Sequence, residues 1–194
     1  MNYLAHFYLS GDQEHLLLGN FIADSVKGKQ IELYSEDLRK GITMHRNIDY
    51  FTDTHPVTSR SKSRLREEFN HYSGVIVDVF YDHFLAKNWN EFSNETLNDY
   101  SERIYVLLEQ HAEKFPERPR TMLPFMRKYN WLKSYAEIEG IRNVLTGMSR
   151  RVRAGSKMEL AADALERNYK ELENDFREFF PELIAHTAPF RSGR

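Results

Sequence analysis

The segment Ser73–Trp89, SGVIVDVFYDHFLAKNW, places acids where solvent is not expected. On a helical wheel Val75, Ile76, Val77, Val79, Phe80, Phe84, Leu85, Ala86 and Trp89 run all the way round, and a helix with no polar face is a buried helix. It nevertheless carries Asp78, Asp82 and His83. The two acids are four apart and share a face, and His83 lies about 100° round from Asp82. Two ionised carboxylates in a dry core cost several kcal/mol unless they are paired or bound to a cation. A lone acid here would be read as paired with a buried arginine, and His83 as a single satisfied core hydrogen bond. Two acids and an imidazole on one apolar helix point instead to a site.

A second segment, Leu38–His55, turns the same way. Leu38, Ile42, His45, Asp49 and Thr52 fall on one stripe, so an apolar face becomes a His and an Asp one turn apart, spaced to reach a single ion. Arg46 beside them has the planar fork that suits a phosphate oxygen. An intrahelical His45–Asp49 bond with Arg46 paired to Asp49 or Asp53 explains this segment equally well. Asp24 falls on the apolar face of EHLLLGNFIADSVKG with Leu17 and Phe21, with Asn20 nearby, and His6 stands among large apolar neighbours in NYLAHFYL. The candidate set is therefore His6, Asp24, His45, Asp49, Asp78, Asp82 and His83. The chain has no cysteine, so any metal is held by imidazoles and carboxylates, which suits Mn²⁺, Mg²⁺ or Fe²⁺ more than structural zinc. There is no Gly-rich phosphate loop, nucleophile elbow or thiol nucleophile, which leaves metal-activated water as the chemistry.

Helices must position these groups. With 194 residues the chain suits one all-α domain over 1–194, long enough to bury a sizeable core. Its 41% hydrophobic and 13% aromatic content excludes a disordered chain, and only 9 Gly and 6 Pro favour long helices over a turn-rich β-fold. Apolar spacing predicts helices over 13–28, 36–54, 56–70, 73–89, 95–115, 119–131, 135–151 and 157–180, with no strand alternation. Ser134 with Glu137 and Ser156 with Glu159 match capping boxes, Pro56 suits a first turn, and Gly28 and Gly155 suit helix ends. The stripe Leu160, Ala164, Leu165, Leu172, Phe176 and Phe179 reads as core packing.

A net charge of −2 offers no bulk attraction to nucleic acid or to an anionic membrane. Cations gather locally, however: Arg142, Arg150, Arg151, Arg153 and Lys157 occur with no acid between Glu139 and Glu159. They read either as a solvated loop or as a docking patch for an acidic partner. The first ten residues hold no basic stretch and no apolar run suited to export or spanning, which points to a cytoplasmic protein.

Five blocks, MNYLAHFYLS, LLLGNFIADSVKG, GITMHRNIDYFTDTHP, VFYDHFLAKNW and NVLTGMSRR, resemble the acyl carrier protein phosphodiesterase family in its order and across most of the chain. The stretch from about 90 to 130 and the tail after 157 resemble it more loosely. Such enzymes are similar to HD-type metal phosphohydrolases, all-helical bundles with His and Asp ligands on several helices. Here the adjacent pair is reversed, Asp82-His83. The resemblance implies hydrolysis of 4′-phosphopantetheine from holo acyl carrier protein, with Mn²⁺ or a similar ion. On the reading of the buried acids, Asp24, Asp78 and Asp82 with His45 and His6 hold one or two such ions, Arg46 steadies phosphate charge, and His83 or Asp49 manages protons or completes the shell; the acidic carrier gives the Arg142–Lys157 cluster a partner. An HD-like hydrolase of a nucleotide or other small phosphoester, and a non-catalytic helical module with Arg-paired acids, are the rival readings.

Overall fold

Every regular element among the described residues, 1–152 and 155–192 of a computed structural model, is a helix. In chain order these are α1 (Tyr3–Ser10), α2 (Glu14–Ile22), α3 (Glu36–Thr54), α4 (Pro56–Phe69), α5 (Ser73–Lys87) and α6 (Leu97–Gln110). They continue with α7 (Glu117–Lys128), α8 (Trp131–Ser134), α9 (Ile138–Ser149), α10 (Ala161–Arg167) and α11 (Tyr169–Arg191), with short 3₁₀ turns between several of them. α5 fills the centre, as its uniform apolarity requires, and packs against α1, α4, α9 and α11. Tyr81 and Phe84 on it join Phe176 and Phe179 of α11 in a fully buried aromatic cluster, with Phe176 and Phe180 stacked at 4.9 Å. None of the described helices is long and apolar enough to cross a membrane.

α3 and α4 form where the spacing predicts, with Pro56 in the first turn of α4 and His55 capping it. α2 ends earlier than expected, at Ile22, and the chain tightens into a 3₁₀ turn over Ala23–Ser25 that carries Asp24. The stretch expected as one helix over 157–180 is two. The Asn168 side chain donates to the Ala164 carbonyl at 2.9 Å and closes α10, and α11 then runs on through Pro181 and Pro189. Leu160 of the expected core stripe is exposed. Neither expected capping box forms. Ser134 donates to the Trp131 carbonyl at the end of α8, while Glu159 takes the Ser149 hydroxyl. α1 and α8 have no counterpart among the predicted helices.

α1 needs help that its own residues do not provide. Eight residues are too few for a helix to persist alone in water. The Asn2 side chain caps it by accepting from the Tyr3 amide at 2.9 Å. Three more amides, those of Asn2, Leu4 and Ala5, donate to the Asp82 carboxylate on α5 at 3.2, 2.7 and 3.3 Å. The terminus is therefore closed by a residue distant in sequence.

The contact between α2 and α3 is the most extensive in the molecule, and glycine makes it possible. Gly19 and Gly41 face each other so closely that a Cβ on Gly19 would stand 2.4 Å from the Leu38 carbonyl oxygen, and one on Gly41 would stand 2.6 Å from that of Leu16. With no side chains between them, the backbones touch and the residues just beyond, Asn20 and His45, meet. Gly19→Ala should force the helices apart and cost about 3 kcal/mol or more, the upper range of overpacking, read as a lower urea midpoint at unchanged m-value.

Candidate functional site

Asn20 joins three helices. Its Oδ1 accepts from His6 Nδ1 on α1 at 2.8 Å and from His45 Nδ1 on α3 at 3.1 Å. Its Nδ2 donates to the Ser10 hydroxyl at 3.0 Å and to the His6 carbonyl at 3.4 Å, which fixes the orientation of the amide. The two imidazoles stack at 4.1 Å. With both Nδ1 atoms turned to one acceptor, both Nε2 atoms face the same way, towards carboxylates. His6 Nε2 meets Asp49 Oδ1 at 3.1 Å, and His45 Nε2 meets Asp49 Oδ2 at 3.1 Å and Asp24 Oδ1 at 3.3 Å.

The two histidines differ in charge. Burial, and then the neighbouring His45, lowers the His6 pKa to about 4. His45 is also penalised by burial, but hydrogen bonds to Asp24 and Asp49 outweigh it and raise its pKa to about 9. Burial works against ionisation of Asp49 as well, yet the bond from His45 holds its carboxyl well below the usual range, and the His45 bond lowers Asp24 too. His6 is therefore neutral, with its proton on Nδ1 for Asn20, and its Nε2 lone pair points at a carboxylate oxygen 3.1 Å away. That lone-pair contact is unfavourable unless a cation stands between.

Two imidazole nitrogens and an Asp49 oxygen lie within 4.8 Å of one another, so the donors fit a divalent ion. Each ligating imidazole has its other nitrogen anchored, as metal-binding histidines do. His6, His45, Asp24 and Asp49 line a cavity of about 740 Å³ together with Met1, Asp53 and Asp78. The apolar side chains Met122, Trp131, Val144 and Met148 also line it, as do Arg118, Arg150 and Arg151.

The other residues singled out in the sequence lie elsewhere. Asp78 reaches the cavity but faces the Met1 amino group at 3.0 Å, with Asp49 3.8 Å away on the same amine. Asp82 is fully buried, outside the cavity lining, and both its oxygens are taken by amides of α1. A helix terminus meets the need for compensation that the sequence assigned to a cation. His83 is held by the Tyr135 carbonyl at 2.7 Å and the Tyr169 hydroxyl at 3.0 Å, away from the cluster. Arg46 donates to the Val26 carbonyl at 2.8 Å and does not line the cavity. Arg142 is committed to Asp163 at 2.8 Å, with Glu139 and Glu166 close by. Lys157 is exposed, and Arg153 lies outside the described residues. Sequence reading gave no role to Asn20, although a polar amide inside the run LLLGNFI was a usable signal, and it passed over Arg118.

Asn20→Leu should leave the protein folded and weaken Mn²⁺ binding by about ten- to a hundredfold in isothermal titration, the range for a lost orienting partner. A second outcome concerns pH. The raised pKa of His45 means that its ion pairs stabilise the metal-free fold in full below about 6.5 and lose that contribution as pH rises through about 9. The melting temperature of metal-free protein should fall across that window, and His45→Gln should flatten the slope.

Comparison with known proteins identifies a family. The family model described as acyl carrier protein phosphodiesterase matches residues 1–183. A protein of Serratia proteamaculans named acyl carrier protein phosphodiesterase is 36% identical over 186 residues, covering 95% of this chain and 96% of its own. Proteins of the same name from Yersinia pestis and Photorhabdus laumondii are each 32% identical over 185 residues, covering 95% of this chain and 96% and 93% of theirs. No solved structure matches. The chain belongs to the acyl carrier protein phosphodiesterase family.

Proposed function

We propose that this chain is a metal-dependent phosphodiesterase that releases 4′-phosphopantetheine from a serine of holo acyl carrier protein and leaves the apo carrier. The observation that carries the reading is the convergence of His6 Nε2, His45 Nε2 and Asp49 in one cavity, with both imidazoles oriented by Asn20. In this reading His6, His45 and Asp49 hold the divalent ion, Mn²⁺ or alternatively Mg²⁺ or Fe²⁺, and Asp24 stands beside His45 to complete the set. Such an ion, when bound, neutralises charge on a phosphoryl oxygen and makes a water acidic enough to attack near neutral pH.

The remaining work falls to the chain. Asn20 keeps the imidazoles in the tautomer that presents both Nε2 atoms. Asp78 and Asp49 hold the Met1 amine beside the cluster, which offsets part of their charge. Arg118, Arg150 and Arg151 take over the anion-binding role expected of Arg46, since they line the cavity and Arg46 does not. The apolar wall of Met122, Trp131, Val144 and Met148 keeps water from the arm once it is inside. Carriers of the kind this family serves are acidic, which matches Arg150 and Arg151, exposed just after α9. Arg142 takes no part in docking in this reading, because Asp163 already holds it.

Elemental analysis of purified protein, with mass spectrometry of a holo carrier before and after incubation, tests the reading directly: bound divalent metal and loss of the arm's mass support it, and an intact carrier refutes it. Asp49→Asn should remove both turnover and the thermal shift with Mn²⁺, which in wild type amounts to about 2.7 kcal/mol when the ion is at about a hundred times its Kd. Arg150→Glu with Arg151→Glu should raise KM for a full-length carrier far more than for a minimal phosphodiester, and the effect should shrink with added salt. Equal changes on both substrates would return the site to the small-phosphoester reading.

A further inference from the structure

α7 buries only part of its surface. Pro119, Leu123 and Met126 are buried, and Arg127 turns to Glu102 and Glu109 of α6 at 2.9 and 3.4 Å. On another side, at 100° per residue, Arg118, Met122, Phe125 and Tyr129 fall within an arc of about 60°. Phe125 is 58% exposed and Tyr129 is 59% exposed. Apolar residues exposed singly are ordinary on a protein surface, but two aromatic rings one turn apart on one stripe make a patch. Lys128 stands beside them, with its Nζ 5.3 Å from the centre of the Tyr129 ring. The one acid of α7 is Glu117, in its first turn, so the helix stays cationic even with Arg127 committed to α6.

The stripe runs into the cavity of the His6–His45–Asp49 cluster. Arg118, Met122 and Tyr129 line it, while Phe125 and Lys128 do not. Tyr3 ties the inner end of the stripe to the site, since its hydroxyl donates to Met122 Sδ at 3.4 Å. Burial and then the charge of Asp24 raise the Tyr3 pKa to about 12, while Arg118 and Arg151 pull against them, so all three charges surround one ring. The chemistry of the substrate makes this rim important. The serine oxygen of a carrier is bonded directly to the phosphorus, so the carrier itself must come within a few ångströms of the cluster. Its surface around that serine therefore rests on whatever borders the cavity, and α7 presents exposed aromatic rings and cations there, the residue types that interfaces favour.

We propose that the outer face of α7, formed by Phe125, Lys128 and Tyr129 with Arg118 at its inner end, is a docking surface for the acidic carrier. The rings take an apolar side chain of the carrier, and the two cations meet the carboxylates around it. The proposal rests on the phosphodiesterase reading, and it adds an apolar contact on a second helix to the charge contact at Arg150 and Arg151.

Phe125 and Lys128 are exposed and outside the cavity lining, so Phe125→Ala and Lys128→Glu should melt with wild type and keep its turnover of a minimal phosphodiester. For a full-length holo carrier, Phe125→Ala should raise KM about tenfold at unchanged kcat, the loss expected of an interface anchor. That rise should persist in added salt, whereas the rise caused by Lys128→Glu should shrink, because only the charge contact is screened. KM values within about twofold of wild type for both variants overturn the proposal. Docking is also read without turnover, by titrating holo carrier into Asp49→Asn protein with and without Phe125→Ala. A tenfold weaker titration with Phe125→Ala supports the surface, and equal affinities overturn it. A wild type that leaves the carrier intact would remove the phosphodiesterase reading, while the paired titrations would still decide whether α7 binds the carrier.

Discussion

One amide oxygen, Asn20 Oδ1, sets the geometry of the candidate site by accepting from two imidazoles at once. It can do so only if α1, α2 and α3 meet within a few ångströms, and each of those contacts has its own physical cause. α2 and α3 touch because Gly19 and Gly41 leave nothing between their backbones. α1 is present at all because Asp82 closes its first turn from α5. The amide then converts three packed helices into a chemical arrangement: it takes the Nδ1 proton of each ring and turns both Nε2 atoms towards Asp24 and Asp49.

Asp82 shows how a correct energetic premise can lead to the wrong partner. A fully buried carboxylate does need compensation, and burial pushes its pKa up to about 7 even against the Met1 amine and the amides that pull it down. The compensation is a helix N-terminus, which presents about half a positive charge together with free N–H donors. Three such donors saturate the acid without a metal. The same interaction fixes His6, the residue after Ala5, at the start of a helix too short to stand alone. Asp82 thereby contributes to the site through the backbone, at a distance from its chemistry.

The parts of the structure that depend on local pattern were legible in the sequence. The α3 stripe placed His45 and Asp49 one turn apart and facing inward, and they are (His45 buried, Asp49 at the cavity edge). The apolarity of α5 marked it as the central helix. What could not be read is whatever depends on a distant partner. α1 lacks local support beyond Asn2, so a periodicity reading passes over it, and with it the helix that carries His6. Asp78, Asp82 and His83 share one helix but serve three partners, the Met1 amine, the amides of α1 and the Tyr135 carbonyl, because they emerge at different heights and angles around α5. Arg142 looked available in the sequence because Asp163 and Glu166, which hold it, lie some twenty residues downstream.

The charge distribution in the cavity completes the argument. Its floor gathers Asp24, Asp49, Asp53 and Asp78, against which the chain sets the Met1 amine, His45 in its charged form, and Lys62, whose ammonium meets Asp53 at 2.9 Å. Lys62 does not line the cavity, and the Met1 amine is shared between two acids. A phosphodiester entering such a floor would meet a surplus of carboxylate, while Arg118, Arg150 and Arg151 on the walls attract it. In the proposed reading the arginines would draw a phosphodiester in, and a divalent cation held by His6, His45 and Asp49 would supply the positive charge that the acidic cluster lacks. The lone pair of His6 facing Asp49 marks where that charge would belong. Anion-attracting arginines beside an acidic cluster are hard to reconcile in a simple binding module, and a cation at that cluster would make them consistent.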